Sequence, residues 1–487
     1  MHPRSLALIA VSLSFTTPAF AEPLRLFAIQ TVAPKGSGQP IANPNADAFN
    51  SKVEALFTPG TGLTADEAAA KATKTSYDAL AQREEMLSAE ALRQQAKHGF
   101  IPTLALTANY TRTRTITNRL VQTDPITGTE QALVLPFFPN QYSLGANLSI
   151  PLSDYFLRLP QNLAAANRGL DAASLTSRHT ELSTATGAKV AYYEWARAKL
   201  QHVVREQALE QAKAQAKDVK AQFDAGSSTN ADVLRLESNV ATAELNLERA
   251  KNAAQLAEER LRTQMHDASQ GNYQIGEDVR VDLPQIDNVG DITTLWQEAE
   301  QKRLDLKALS MQAQAQRERA SATRADYYPR LTAQGTAQYL SPLQQRFPQT
   351  DEWDYWWTVG ATLSWTPTAI FGARQGAESL EHQASKIEAQ RNYARDNVHV
   401  SVLDAYQALN VAAVAIDTTT RSLASAEESY RVRRALFQNG RATTVEVIDT
   451  ETALTNARSE AMNARIDLRI ARARLINAIG RDTDQRM

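Results

Sequence analysis

The residues best placed to do chemistry lie at two matching turns. Phe437-Gln438-Asn439-Gly440 leads to Glu446-Val447-Ile448-Asp449-Thr450-Glu451. At the same spacing, 214 positions earlier, Phe223-Asp224-Ala225-Gly226 leads to Asp232-Val233-Leu234-Arg235-Leu236-Glu237. Gly226 and Gly440 each read as the tight turn between a long helix and the helix returning alongside it. Acids at a helix start ordinarily serve as caps. Thr443-x-x-Glu446 and Thr229-x-x-Asp232 are capping boxes, in which a hydroxyl and a carboxylate satisfy the first backbone amides. Asp449, three residues beyond Glu446, lies outside that box and capping leaves it unexplained.

Nothing else in the chain points to catalysis. The 7 histidines are scattered without HExxH or His-x3-His spacing, and there is no cysteine. P-loop, GxGxxG and Gly-x-Ser-x-Gly patterns are missing. The expectation is therefore no enzyme, no metal and no cofactor. A formal net charge of −2 over 487 residues argues against a nucleic-acid surface.

The elements that position the turns follow from period and punctuation. Residues 1–21 read as an export signal: Arg4, an apolar run from Leu6 to Phe15, and Ala19-Phe20-Ala21 as the cleavage site. Beyond it, no stretch approaches 18 consecutive apolar residues. Residues 22–62, rich in Pro, Gly and Asn, read as an extended N-terminal segment. Residues 63–265 form one helix–hairpin–helix unit, 266–292 a linker with short extended pieces at Gln274-Ile275 and Val279-Arg280-Val281, 293–480 a second unit, and 481–487 a tail. Helices are expected over Thr64–His98 and Thr293–Asp326, and from about Leu157 to Phe223 and Gln375 to Phe437. A helix of the latter length, about 100 Å, exceeds a globular domain and implies a coiled coil or a helical tunnel. The return helices share a seam. Leu454, Ala457, Ala461, Ala464, Leu468, Ala471 and Leu475 match Val240, Ala243, Leu247, Ala250, Ala254, Ala257 and Leu261 when shifted by 214. A 3-4 spacing dominated by alanine is a closely packed heptad seam.

Between the helices the period changes to two. Strands are expected at about 101–113, 141–152, 329–340 and 355–366, each with an apolar face and a face of Thr, Ser, Asn, Gln and Gly. Phe100, Tyr327, Tyr328 and Trp365 fall at the helix-proximal end, and Tyr110, Tyr142, Tyr339 and Trp357 at the far end. Two aromatic girdles flanking an apolar band are the signature of an outer-membrane barrel facing lipid. Four strands cannot close around a lumen, and open edges are not tolerated in lipid. The chain must then oligomerise. Two copies give eight strands, filled by side chains, and three give twelve with room for a channel; the lumen that a helical barrel below needs favours three. The fold class is thus an α+β membrane protein: a trimeric 12-stranded transmembrane β-barrel continued by a long α-helical coiled-coil tunnel, built from two internal repeats. A soluble rod with a β-sandwich cap is the plainer alternative, and a long loop from about Thr113 to Asn140 faces outward.

The doubled turns, Ala325-Asp326-Tyr327-Tyr328-Pro329-Arg330-Leu331 entering a strand, and Arg303-Leu304-Asp305-Leu306 before it resemble the TolC-like outer-membrane efflux protein family over about Leu63–Gly480. The family usually has proline where Leu304 stands. The resemblance implies a homotrimer in outer-membrane lipid with its helices in the periplasm. It implies a passive conduit from periplasm to exterior in a tripartite efflux or type I secretion system, docked to a periplasmic adaptor (membrane fusion protein) and an inner-membrane transporter. It further implies that Glu446 and Asp449 form acidic rings gating the periplasmic tip. The family's tip lock pairs Asp232 with a tyrosine, here Phe437, and an arginine, here Ala442 with Arg441 one place earlier, with a threonine, here Ala231, so the lock is either altered or replaced by Arg441. The competing function is an outer-membrane structural or adhesive protein without channel activity.

Overall fold

The computed structural model describes residues 44–484, apart from 59, 61, 116–117, 124, 136, 268–270, 282, 284–289 and 347–348. The export signal and most of residues 22–62 lie outside the described residues. The chain divides into two compact units after Asp47, and of the first only 44–47 are described. The second unit holds the sheet and every long helix.

The elements run α1 (Pro44–Glu54), α2 (Ala65–Thr75), α3 (Tyr77–His98), β1 (Thr103–Arg112), β2 (Asn118–Thr123), β3 (Glu130–Leu135), β4 (Asn140–Ile150) and the one-turn α4 (Asp154–Leu157). They continue with α5 (Leu159–Asp224), α6 (Asn230–Gln264), α7 (Ile292–Lys302), α8 (Leu304–Arg324), β5 (Arg330–Ser341), β6 (Asp354–Ser364), α9 (Ala369–Gln438) and α10 (Thr444–Ile479). The two long helices and their returns stand where their periodicity places them, α9 beginning six residues earlier than expected.

Four local readings are corrected. The N-terminal segment is not wholly extended: α1 lies within it. Its Phe49 ring sits 4.5 Å from the Arg458 guanidinium carbon, and the Lys52 ammonium donates to Glu210 at 2.7 Å. The expected helix over Thr64–His98 breaks at Ser76, which adopts an extended ψ of 129° and caps α3 by accepting from the Ala79 amide. Serine is a good N-cap because its oxygen replaces a missing helical acceptor. The helix over Thr293–Asp326 breaks likewise at Arg303 (ψ 125°), whose guanidinium is held by Asp305 at 2.7 Å. In the linker, Ile275 bridges Phe57 and Leu63 as extended chain, but residues 279–281 turn. That turn is tied down because Arg465 donates to the Arg280 carbonyl at 2.7 Å and Arg469 to the Asp278 and Val281 carbonyls at 3.2 and 2.9 Å.

The core is helical. Tyr192, Trp195 and Leu200 of α5 are buried with Phe49 and Val53 of α1, Ile275 and Val279 of the linker, and Ile466 and Ile470 of α10. A second cluster joins Leu295, Leu306, Val402, Leu475 and Ile479. The alanine seam faces inward: Ala457, Ala461, Ala464 and Ala471 are buried. α10 packs against both α9 and α5.

The sheet has the order β1-β4-β5-β6, antiparallel throughout. Its register is unbroken. Leu106 pairs with Ala146, Ala146 with Ala337 and Ala337 with Trp357, so one apolar row crosses all four strands. Within the loop read as Thr113–Asn140, β2 and β3 form a separate hairpin that no alternation announced.

Both long helices end in the same way. Gly226 (φ +74°) and Gly440 (φ +69°) are left-handed, and the Ser227 and Arg441 amides reach back to the Gln222 and Leu436 carbonyls at 2.8 Å. This is the Schellman pattern, in which glycine avoids the Cβ penalty. An added Cβ at either glycine meets no atom within 4 Å, so alanine there is strained by backbone conformation alone. Gly226→Ala and Gly440→Ala should each cost about 1 kcal/mol. Hydrogen exchange at the Ser227 and Arg441 amides should then quicken about five-fold. Unchanged exchange would show that the turns do not depend on the left-handed residue.

Candidate functional site

The two turns are built from caps. The Thr229 hydroxyl accepts from the Asp232 amide at 3.2 Å, while the Asp232 carboxylate accepts from the Thr229 amide and hydroxyl at 3.3 and 2.6 Å. The Thr229 hydroxyl, its amide, the Thr444 hydroxyl and Arg235 hold the Asp232 carboxyl below its ordinary pKa. Glu446 makes the reciprocal box, its Oε2 accepting from the Thr443 amide at 2.8 Å and hydroxyl at 3.2 Å. Its other oxygen, Oε1, accepts from Arg433 of α9 at 3.0 Å. The Thr443 amide, then its hydroxyl and Arg433, hold Glu446 below its ordinary pKa.

Thr444 is buried and touches Asp232 electrostatically, so the second turn leans on the first. Asp449 and Arg441 are exposed, and among the described residues neither makes an ion pair. Arg441 therefore does not hold Asp232 within its own chain. Phe437 packs on the apolar cluster of Tyr430, Val447 and Leu454.

Two residues here escaped the sequence reading. Arg433 is one of many arginines on α9, and only the helix crossing selects it. Glu451 carried a signal: four residues after Val447 and three before Leu454, it falls on the buried side of α10. It is 5% exposed, and neither carboxyl oxygen has a hydrogen-bond partner among the described residues. Near it lies a cavity of about 180 Å³ between α5, α6 and α10, lined by Arg205, Asn239, Thr242, Asn246 and Thr455. Burial pushes its pKa up to about 7, against the opposing pull of Gln215 and Arg434.

The sheet supplies the other end of the site. Tyr110 stacks on Tyr142 at 5.1 Å, and Trp353 lies 6.0 Å from Tyr142 and 5.0 Å from Tyr339. Trp357 sits one row further in, opposite Ala337. At the helix-proximal end the Tyr155 hydroxyl donates to the Phe100 carbonyl at 2.7 Å, the Trp365 indole donates to the Tyr327 carbonyl at 3.3 Å, and Tyr328 is exposed. Trp353 and Tyr155 extend the two aromatic sets beyond the residues expected.

Residues 69–265 and 295–481 both match the outer membrane efflux protein family. Among solved structures, the Campylobacter jejuni CmeC outer membrane channel is similar at a TM-score of 0.70 and 15% identity, over 87% of this chain and 89% of its own. The Neisseria gonorrhoeae MtrE outer membrane channel, in its open state, gives 0.66 at 17% identity, over 85% and 88%. The outer membrane protein VceC of Vibrio cholerae gives 0.65 at 18% identity, over 88% and 96%. At these identities the likeness is one of fold. No curated protein matches the chain.

Glu451 yields a pH prediction. Its folded pKa, about 7, lies above its ordinary 4.5. Stability is then full below about pH 4.5 and falls as pH rises through 7, because the folded state holds the proton that the unfolded state releases. Glu451→Gln should raise the melting temperature at pH 8, by the equivalent of about 3 kcal/mol, and leave it nearly unchanged at pH 4.5. Thermal melts at the two pH values check this, and an equal shift at both would refute the buried proton.

Proposed function

The chain belongs to the outer membrane efflux protein family, an outer-membrane channel component of efflux systems with its helices in the periplasm, and we propose that it works as a homotrimer gated at its periplasmic tip. The observation that carries this reading is the four-stranded sheet. It has one apolar and one polar face, and β1 and β6 are unpaired on their outer edges among the described residues. In hydrocarbon those edges require partners. Joining β6 of one copy to β1 of the next meets that demand, and three copies give twelve strands and a water-filled lumen. A stripe on α9 supports the same assembly: Tyr393, Val400, Val411 and Val414 are all strongly exposed in the single chain. They are apolar, and on a periplasmic helix they need a cover.

Within each chain we read two copies of one unit, offset by 214. The matched turns, capping boxes and seams support this, and so does the end of each return helix. Gly480 is left-handed after α10, and His266, 214 positions earlier, is left-handed after α6. The domain boundaries at 63–265 and 293–480 belong to this reading.

At the tip, three copies of Glu446 and Asp449 bring six carboxylates around one axis. Like charges in a ring raise one another's pKa and gather cations. The cap and Arg433 work the other way on Glu446 and keep it ionised. Arg441, exposed and without an ion pair in its own chain among the described residues, is available to Asp232 of a neighbouring copy. A periplasmic adaptor and an inner-membrane transporter complete the path and supply the energy.

Two measurements test this. Reconstituted protein should conduct across a planar bilayer, whereas a sealed protein would support a structural or adhesive role. The double variant Glu446→Gln/Asp449→Asn should weaken block by a multivalent cation applied from the periplasmic side on the order of ten-fold. Unchanged block would remove the gate from these residues.

A further inference from the structure

Trp356 and Trp357 are neighbours in sequence and opposites in space. Trp357 belongs to the apolar row of Leu106, Ala146 and Ala337. Trp356 pairs with Gln338, Gln338 with Gly145, and Gly145 with Thr107. Directly opposed residues in an antiparallel sheet share a face, so Trp356 stands on the polar one. The four paired strands place only Thr, Ser, Asn, Gln, Gly, Ala105, Leu340, Arg330 and Asp354 on that face besides it. Leu340 is buried, whereas Trp356 remains 39% exposed. No ring stacks on its indole among the described residues. Packing therefore does not account for the largest side chain on the water side.

Its surroundings are those of a platform. Gly145, two strands away in the same row, has no side chain to rise from the floor, and the space above it is taken by the small Thr107 hydroxyl, which an added Cβ would meet at 2.8 Å. Asp354 points to the same side as Trp356, two residues away, or about 7 Å along the strand. One Asp354 oxygen accepts from the Tyr355 amide at 2.8 Å, and Arg346 approaches the other only to 3.8 Å. An indole face attracts cations through its quadrupole, more strongly than any other side-chain ring. One step along the wall, Asp354 shares Arg346 with Glu352, at 3.8 and 3.7 Å, so the three groups together keep one net negative charge.

We infer that Trp356, with Asp354, is a binding station in the lumen for organic cations passing through the barrel. The inference rests on the conduit reading of the proposed function. It names a solute class that is planar or quaternary, positively charged and poorly hydrated. Three copies place three such stations around one passage, upstream of the exterior mouth and far from the acidic tip.

The chain has no cysteine, so single-cysteine variants are clean probes. In proteoliposomes, Trp356→Cys should react with a sulfonated, water-soluble thiol reagent at least about ten-fold faster than Trp357→Cys, which faces lipid. In bilayers, tetraphenylphosphonium should reduce the wild-type current. Its half-blocking concentration should rise about ten-fold in Trp356→Ala, rise less in Asp354→Asn and in Trp356→Phe, whose smaller ring keeps a weaker quadrupole, and stay at the wild-type value in Trp357→Ala. Retention of block by Trp356→Phe excludes a folding defect as the cause of loss. Equal or reversed labelling of the two cysteines overturns the face assignment. Equal block of wild type and Trp356→Ala overturns the station. A wild-type protein that passes no current defeats the conduit instead, and labelling still decides which face Trp356 occupies.

Discussion

The backbone at the two outer edges of the sheet governs the rest. Every N–H and C=O along the free sides of β1 and β6 needs a partner, and hydrocarbon supplies none. One chain cannot meet that need, because its four strands are too few to curve round and join. In the assembly proposed above, the unit of folding in the membrane is the oligomer and not the chain. The same logic explains the plain chemistry of the strands. With hydrogen bonding fixed by the neighbours, side chains only have to be apolar outward and polar inward, and the register from Leu106 to Trp357 keeps that division without a slip.

Below the sheet, a different force does the ordering. The helices meet through alanine, which permits close approach but buries little area per residue. Larger anchors appear in two places: Trp195 and Tyr192 against the linker and α1, and Tyr430 and Phe437 of α9 against Val447 and Leu454 of α10. The tip combines a stable backbone with charge. Its acids serve first as caps, and capping fixes where their remaining oxygens point. Glu446 shows this: one oxygen closes the box and the other meets Arg433.

Much of this architecture was legible in the chain itself. Alternation of Leu104, Leu106, Ala108 and Tyr110 marked a strand because period two has no helical equivalent. Thr443 and Glu446 marked a helix start because the capping box is local. The misses were non-local or polar. The break at Ser76 rests on one hydroxyl inside a sequence otherwise good for helix. Hairpin β2–β3 is short and lacks clean alternation. Arg433 is singled out by a crossing between helices, which no single-helix pattern encodes. Glu451 lies in register with Val447 and Leu454, but only the packing of α5 and α9 beside it shows how far it is buried. Reading a polar face as uniformly polar also hid Trp356, whose side is set by pairing with Gln338.

The strap between the two halves has a consequence in time. Residues 278–281 are fastened by Arg465 and Arg469, which lie in the last helix of the chain. Synthesis and export deliver the N-terminal half first, so its linker emerges with acceptor carbonyls and no guanidinium to receive. The linker stays unfastened until Arg465 and Arg469 arrive. A protein truncated before Arg465 loses more than its last turns, because the clasp of the earlier half is carried by its latest-made part.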